Sequence, residues 1–218
     1  MRAFALGAPY NSDSITDSPL RAMPTQNRSA VTLSKIIDSA AVAICDRGSL
    51  RLTTTLVAEY SGRGVGTIYR YFPDRMAIVE AICTRNVAQF LLRCLPDISN
   101  RRHSSWKDAF AAVVEQMQHS FVSEPGFASL RFGDRFDFDR ESDEPRGIIL
   151  VAREISASID AHFPGLKPRQ LASAVEESLV VGEAVLVRAF RHLPAGDPAL
   201  LAEAQSVACS HLARRYGS

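Results

Sequence analysis

Hydroxyls, three guanidinium groups and two glycines crowd one short stretch of this 218-residue chain, Arg63-Gly64-Val65-Gly66-Thr67-Ile68-Tyr69-Arg70-Tyr71-Phe72-Pro73-Asp74-Arg75. Thr67, Tyr69 and Tyr71 offer hydroxyls that hydrogen-bond phosphate oxygens, and Gly64 and Gly66 leave backbone N–H groups open to the same anions. On the outward face of the helix this stretch would form, Arg70 is the one long side chain that can make a bidentate contact to guanine O6 and N7. Just upstream, Thr53, Thr54 and Thr55 stand where they cap a helix and reach a flanking DNA backbone. This is the chemistry of a duplex-DNA surface. No HExxH, GxSxG, nucleophile–base pair or phosphate loop accompanies it, which argues against an enzyme.

The elements that must position these groups read as helices. Leu33, Ile36, Ile37, Ala40, Ala41 and Ile44 recur at helical spacing, and Gly48 sits where a helix C-terminal glycine belongs. A second helix is predicted over 54–60, with Gly62 free to take the positive φ of a sharp turn. A third follows over about 65–72. This helix, tight turn, short helix layout is that of a helix-turn-helix. At 100° per residue Val65, Ile68 and Phe72 share the side that packs on Ile36, Ala40 and Leu56. Gly66, Thr67, Arg70 and Tyr71 fall on the other side, with Tyr69 at the boundary. Asp74 is a good N-cap for a long fourth helix over 75–95, ending before Pro96.

Further helices are predicted at 104–123, 125–133, 145–163, 168–193 and 198–216, punctuated by Pro125, Pro145, Pro164, Pro168, Pro194 and Pro198. No segment of length alternates with period two. The expected fold is all-α: a flexible arm over 1–29, a helix-turn-helix head over 30–90, and a larger helical body over 91–218, to which the family resemblance given next assigns effector binding and dimerisation.

The head resembles the tetracycline-repressor (TetR/AcrR-like) family of bacterial transcriptional regulators. The resemblance rests on the Ile/Ala-rich first helix, Gly48, Thr53, Val57-Ala58, Gly62 and above all Gly66-Thr67-Ile68-Tyr69-Arg70-Tyr71-Phe72-Pro73-Asp74-Arg75. It implies a homodimer that places one recognition helix per subunit in the major groove of a palindromic operator, and a body that binds a small, largely apolar effector and releases the DNA. It also implies that Thr67, Tyr69, Tyr71 and Arg75 contact the DNA backbone and that Thr55 and Val65 lie close to base edges. Two positions depart from the family pattern: Arg63 stands where an apolar residue is usual and Gly64 where Ser or Thr is usual. Arg75 replaces the usual Lys and keeps the charge. Arg63 and Gly64 keep open an alternative, a helical ligand-binding or interaction protein that has lost specific DNA binding.

In the body, seven of seventeen aromatics fall between Trp106 and Phe138. An apolar pocket with a few placed polar groups is the usual form of an effector site. Trp106, Phe110, Met117, Phe121 and Phe132 are the candidate lining, with Glu115 and His119 as polar handles. The last two predicted helices carry broad apolar stripes with small residues. These suit a dimer interface through Leu171, Val175, Leu179, Gly182, Val185, Leu186, Leu201, Ala204, Val207 and Ala208. The run 134–144 holds six acids against two arginines. Without calcium-loop spacing it reads as a solvated loop rather than a metal site, and no cofactor is implied.

Bulk composition agrees once it is divided. Twenty-five basic and 24 acidic residues leave a net charge of +1, which by itself says nothing of nucleic acid. Residues 31–95 hold eight basic and five acidic residues, net +3, whereas 96–218 hold fourteen and seventeen, net −3. Cys45, Cys83, Cys94 and Cys209 are scattered without a CxxC pair and read as buried apolar residues. Without a membrane-length apolar run or a signal-peptide core, a cytoplasmic protein is expected.

Overall fold

The computed structural model describes residues 27–100, 103–133 and 147–216. Among them the secondary structure is helical throughout, with no strand. The helices are α1 (Asn27–Arg47), α2 (Thr54–Ser61), α3 (Val65–Tyr71), α4 (Arg75–Ile98), α5 (Trp106–Ser123), α6 (Phe127–Leu130), α7 (Gly147–His162), α8 (Pro168–Ala189) and α9 (Pro198–Tyr216), with a 3-10 turn at Ser49–Arg51 before α2. The arm predicted over 1–29 lies almost wholly outside the described residues. So does the acidic run 134–144.

The helix ends obey local chemistry. Thr53 caps α2, its hydroxyl accepting from the backbone N–H of Leu56 at 3.1 Å. Asp74 caps α4, its carboxylate accepting from the N–H of Ala77 at 2.9 Å. Each such cap is worth about 1 kcal/mol. Gly62 ends α2 in the left-handed conformation, φ 63° and ψ 32°, which only glycine adopts without strain. Two expected boundaries move. α4 does not stop before Pro96 but runs to Ile98, one turn further. Proline's fixed φ suits a helix, the last turn loses only one backbone bond, and the extension buries Ile98. The helix predicted over 125–133 shortens to the single turn of α6, because Gly126 takes φ 76° before it and Arg131 φ 50° after it.

The chain divides into two contact units. The first contains the residues up to Arg85 and, further along the chain, those from Pro125 to Gly133. Its core is built on Leu33, Ile36, Ile37, Ala40 and Ile44 of α1, Leu52, Val57, Ile68, Tyr71 and Phe72 around the turn, Ile78 and Ile82 of α4, and Leu130 of α6. Gly126 lies against α1, where an added Cβ would stand 3.1 Å from the carbonyl oxygen of Ala41. Arg85 and Asp38 close this unit's rim with an ion pair at 2.7 Å.

The second unit contains Asn86–Glu124 and the described residues from Gly147 on. Its centre is the pairing of α8 with α9. There Gly182 lets the helices approach until an added Cβ would stand 3.1 Å from that of Ala208. Outward of this seam a bidentate pair joins Arg215 to Glu177 at 2.6 and 2.7 Å. Cys83 and Cys94 are buried as expected, and burial pushes the Cys94 thiol far up. Cys45 is exposed and Cys209 only half-buried, because each lies off its helix's core-facing stripe.

Candidate nucleic-acid interface

α2 and α3 carry the groups singled out above. Ile68 and Phe72 are fully buried and anchor α3, so the rest of its circumference is set by helical geometry. Tyr69 is 45% exposed, and Arg63, Gly64, Gly66 and Arg70 are exposed beside it. Thr67 is half-buried and Thr55 exposed. The hydroxyl of Thr54 donates to the Tyr69 hydroxyl oxygen at 3.1 Å, tying the start of α2 to the outer face of α3. Arg75 is held back toward the 3-10 turn, donating to the Leu50 carbonyl oxygen at 3.4 Å and approaching the Met76 sulfur.

Two placements differ from the helical-wheel expectation. Val65, assigned to the packed side, is 37% exposed. It is the first residue of α3, and no turn precedes it to cover it. Tyr71, assigned to the outer side, is 2% exposed and belongs to the core cluster. It lies only 60° around the helix from Ile68, close enough for a large ring to be drawn into the same core. Its hydroxyl oxygen accepts from Nη2 of Arg70 at 2.8 Å, and the guanidinium carbon stands 4.9 Å from its ring centroid. Arg63 leaves its charge in solvent, which is how a cation replaces an apolar residue there without cost to the core.

Gly64 is the N-cap of α3, a position that favours glycine over most residues, and Gly66 is the helix's second residue. Neither has a positive φ, and a Cβ added to either would meet nothing within 4 Å.

The effector candidates separate. Phe110, Met117 and Phe121 line the buried side of α5, and Phe121 stacks on Phe190 with centroids 5.0 Å apart. Trp106 is half-buried at the helix start, edge-on to Tyr216 at 5.5 Å. Glu115 and His119 point away. Both are exposed, a turn apart on the face opposite Met117, and Glu115 accepts from Gln205 at 2.9 Å. Phe132 sits in the first contact unit, edge-on to Phe127 at 5.4 Å.

Sequence reasoning missed a polar row on α4. Asn86, Gln89 and Arg93 share one helical face beside the buried Phe90 and Cys94. Oε1 of Gln89 and Nε of Arg93 are buried and find no hydrogen-bond partner among the described residues. The rest of the Arg93 guanidinium is held by Glu124 at 2.6 Å and Ser120 at 3.0 Å. The signal was present as three polar residues at spacings of three and four inside an apolar helix. An open cleft of about 360 Å³ lies at the end of this row, lined by Arg93, Pro96, Asp97, Asn100 and Gln116. None of the sequence-predicted effector residues lines it. No cluster of three or more His, Cys, Asp or Glu side chains suited to a metal occurs among the described residues.

The stripe assigned to a dimer interface is largely consumed within one chain. Leu171, Val175, Leu179, Leu186, Ala204 and Ala208 are buried in a single copy, and Gly182 faces Ala208. Val185, Leu201 and Val207 are half-buried. What α8 leaves outside is Val180, 48% exposed, Val187, 41% exposed, and Ala184 between them.

The pattern described as bacterial regulatory proteins of the tetR family matches residues 29–82, and that of the tetracyclin repressor-like C-terminal domain matches residues 104–216. No curated protein matches the chain in sequence. Among solved structures it is similar to a TetR-family transcriptional regulator from Streptomyces coelicolor, at 23% identity and TM-score 0.69, over 84% of this chain and 98% of that one. It is also similar to the fatty acid degradation regulator FadR from Bacillus halodurans, at 13% identity and TM-score 0.56, over 87% and 97% of the two chains. A third similar structure is RolR in complex with resorcinol, at 18% identity and TM-score 0.52, over 83% and 94%. No helix among the described residues is long and apolar enough to cross a membrane. With a matched DNA-binding head and a matched C-terminal domain that together span most of its length, the chain belongs to the TetR family of ligand-responsive, DNA-binding transcriptional regulators, which are not enzymes.

Proposed function

We propose that this regulator is a cytoplasmic, dimeric repressor that grips a palindromic operator with two copies of α3 and releases it when a small, largely apolar effector binds the C-terminal domain. The observation that carries the reading is the outer face of α2 and α3. There Thr55, Val65, Thr67, Tyr69 and Arg70 surround Gly64 and Gly66, two exposed glycines with open space where a side chain would stand. Hydroxyls and backbone fix the register on phosphate, and the few side chains left read the groove.

The effector proposal rests on α5 and α4 together. Phe110, Met117 and Phe121 supply apolar surface. The buried Gln89 oxygen, an acceptor, and Arg93 Nε, a donor, are the polar groups proposed to meet the effector. Val180, Ala184 and Val187 on α8 are the proposed contact with the second subunit. The effector acts by population shift, binding the DNA-incompetent arrangement more tightly than the competent one.

Gel-shift titration against the DNA upstream of its own gene tests the reading. Binding is expected to weaken steeply with salt, since each neutralised phosphate releases counterion. Absent or salt-insensitive binding to all genomic fragments refutes it. A thermal-shift screen of small apolar compounds, followed by release of the DNA by any that raise stability, tests the effector half.

A further inference from the structure

A guanidinium has only donors, so in the contact between Arg70 and Tyr71 the phenol oxygen must be the acceptor. The two partners differ sharply in exposure. The Tyr71 ring is locked in the core with Ile68 and Phe72, whereas Arg70 is exposed on the outer face of α3. A free arginine samples many rotamers. This one lies across a rigid aromatic face at 4.9 Å and is pinned at Nη2 at 2.8 Å. Only one of its five N–H donors is spent there, so the remaining edge of the fork stays available.

We propose that Tyr71 is a positioning residue for Arg70: it does not touch DNA itself but holds the Arg70 guanidinium in the orientation in which its free edge meets the operator. This rests on the reading of α3 as the DNA-facing helix. It changes what the tyrosine does, from a phosphate contact to the fixed support of one, and it gives the hydroxyl a purpose that a phenylalanine in the same core could not serve. Pre-organising a long side chain removes the ordering cost that it would otherwise bear on binding.

The test is a double-mutant cycle on the duplex that the wild-type protein enriches from a random pool; failure to enrich any sequence would count against DNA binding itself, not against this proposal. Tyr71→Phe keeps the core ring and removes the hydroxyl, and circular dichroism melts establish that each variant is folded at the assay temperature. Tyr71→Phe should weaken binding by about three- to tenfold when Arg70 is present and should have no effect in the Arg70→Ala background. An equal loss in both backgrounds means that Tyr71 contacts DNA directly, and no loss in either means that the hydroxyl is idle; both overturn the proposal. Arg70→Lys leaves the core untouched and keeps the charge but loses the fork, and it should bind as weakly as Tyr71→Phe. Wild-type affinity in Arg70→Lys also overturns it.

Discussion

Replacing Gly66 by alanine separates the needs of the fold from those of the operator. Gly66 is the second residue of α3, its φ is not positive, and an added Cβ meets no atom of the protein within 4 Å. Alanine in a helix is more stable than glycine by about 0.5–1 kcal/mol, through helix propensity and a less flexible unfolded chain. For a chain of this size that is a rise in melting temperature of about 1–4 °C. If α3 lies in the groove as proposed, the same methyl stands between its backbone and the duplex. Forcing a methyl into a closely packed contact costs about 1–3 kcal/mol, or roughly fivefold to more than a hundredfold in affinity. Circular dichroism melts and fluorescence anisotropy with a labelled duplex measure both sides. A variant that melts higher and binds as tightly as the wild type would show that nothing approaches α3 closely at Gly66. A variant that melts lower would show that the space around Gly66 is not open.

Three other perturbations probe the remaining elements. Val180→Glu places a charge on the exposed apolar face of α8 and should convert a dimer to a monomer in light scattering; a wild-type mass would move the subunit contact elsewhere. Gly182→Val forces a Cβ and two methyls toward Ala208 and the Ala204 carbonyl and should lower the melting temperature by about 4–8 °C, from roughly 2 kcal/mol of overpacking; an unchanged melt would contradict the close approach of α8 and α9. Hydrogen bonding from Arg215 holds the exposed Glu177 carboxyl below its ordinary value. Its contribution is therefore present above the usual carboxylate range and lost as pH falls through the lowered value. The stability gap between wild type and Glu177→Gln should be small at neutral pH and should close on acidification; a gap that widens instead would reverse the assignment.

What the sequence revealed and what it hid follow from range. Thr53, Asp74, Gly48 and Gly62 act on their own neighbours, so cap and turn chemistry placed them correctly. Ile68 and Phe72 declared the inner face of α3 by spacing alone. Tyr71 did not, because a wheel assigns angles but not the reach of a ring, and the core of α1 drew it inward. The stripes through Leu179 and Ala204 show that a face is apolar without showing what covers it, and here one stripe covers the other. Glu115 and His119 were legible only as polar residues on α5; the side on which they stand, exposed and opposite Met117, depends on what the helix packs against. Gln89 and Arg93 were overlooked for the opposite reason: polar residues on a long helix ordinarily face water.

The place of α6 has a consequence for how the head comes to exist. Leu130 belongs to the same core as Ile37 and Val57, and Gly126 rests on Ala41, about ninety residues away along the chain. Contacts at such separation slow folding, because a long loop must close before they form. During synthesis, α1 to α4 would emerge with a gap in their core and wait for the segment after α5. A head excised after α4 and joined to another protein would carry that gap with it. A transplanted head that includes residues 125–133 should therefore melt higher than one cut after α4.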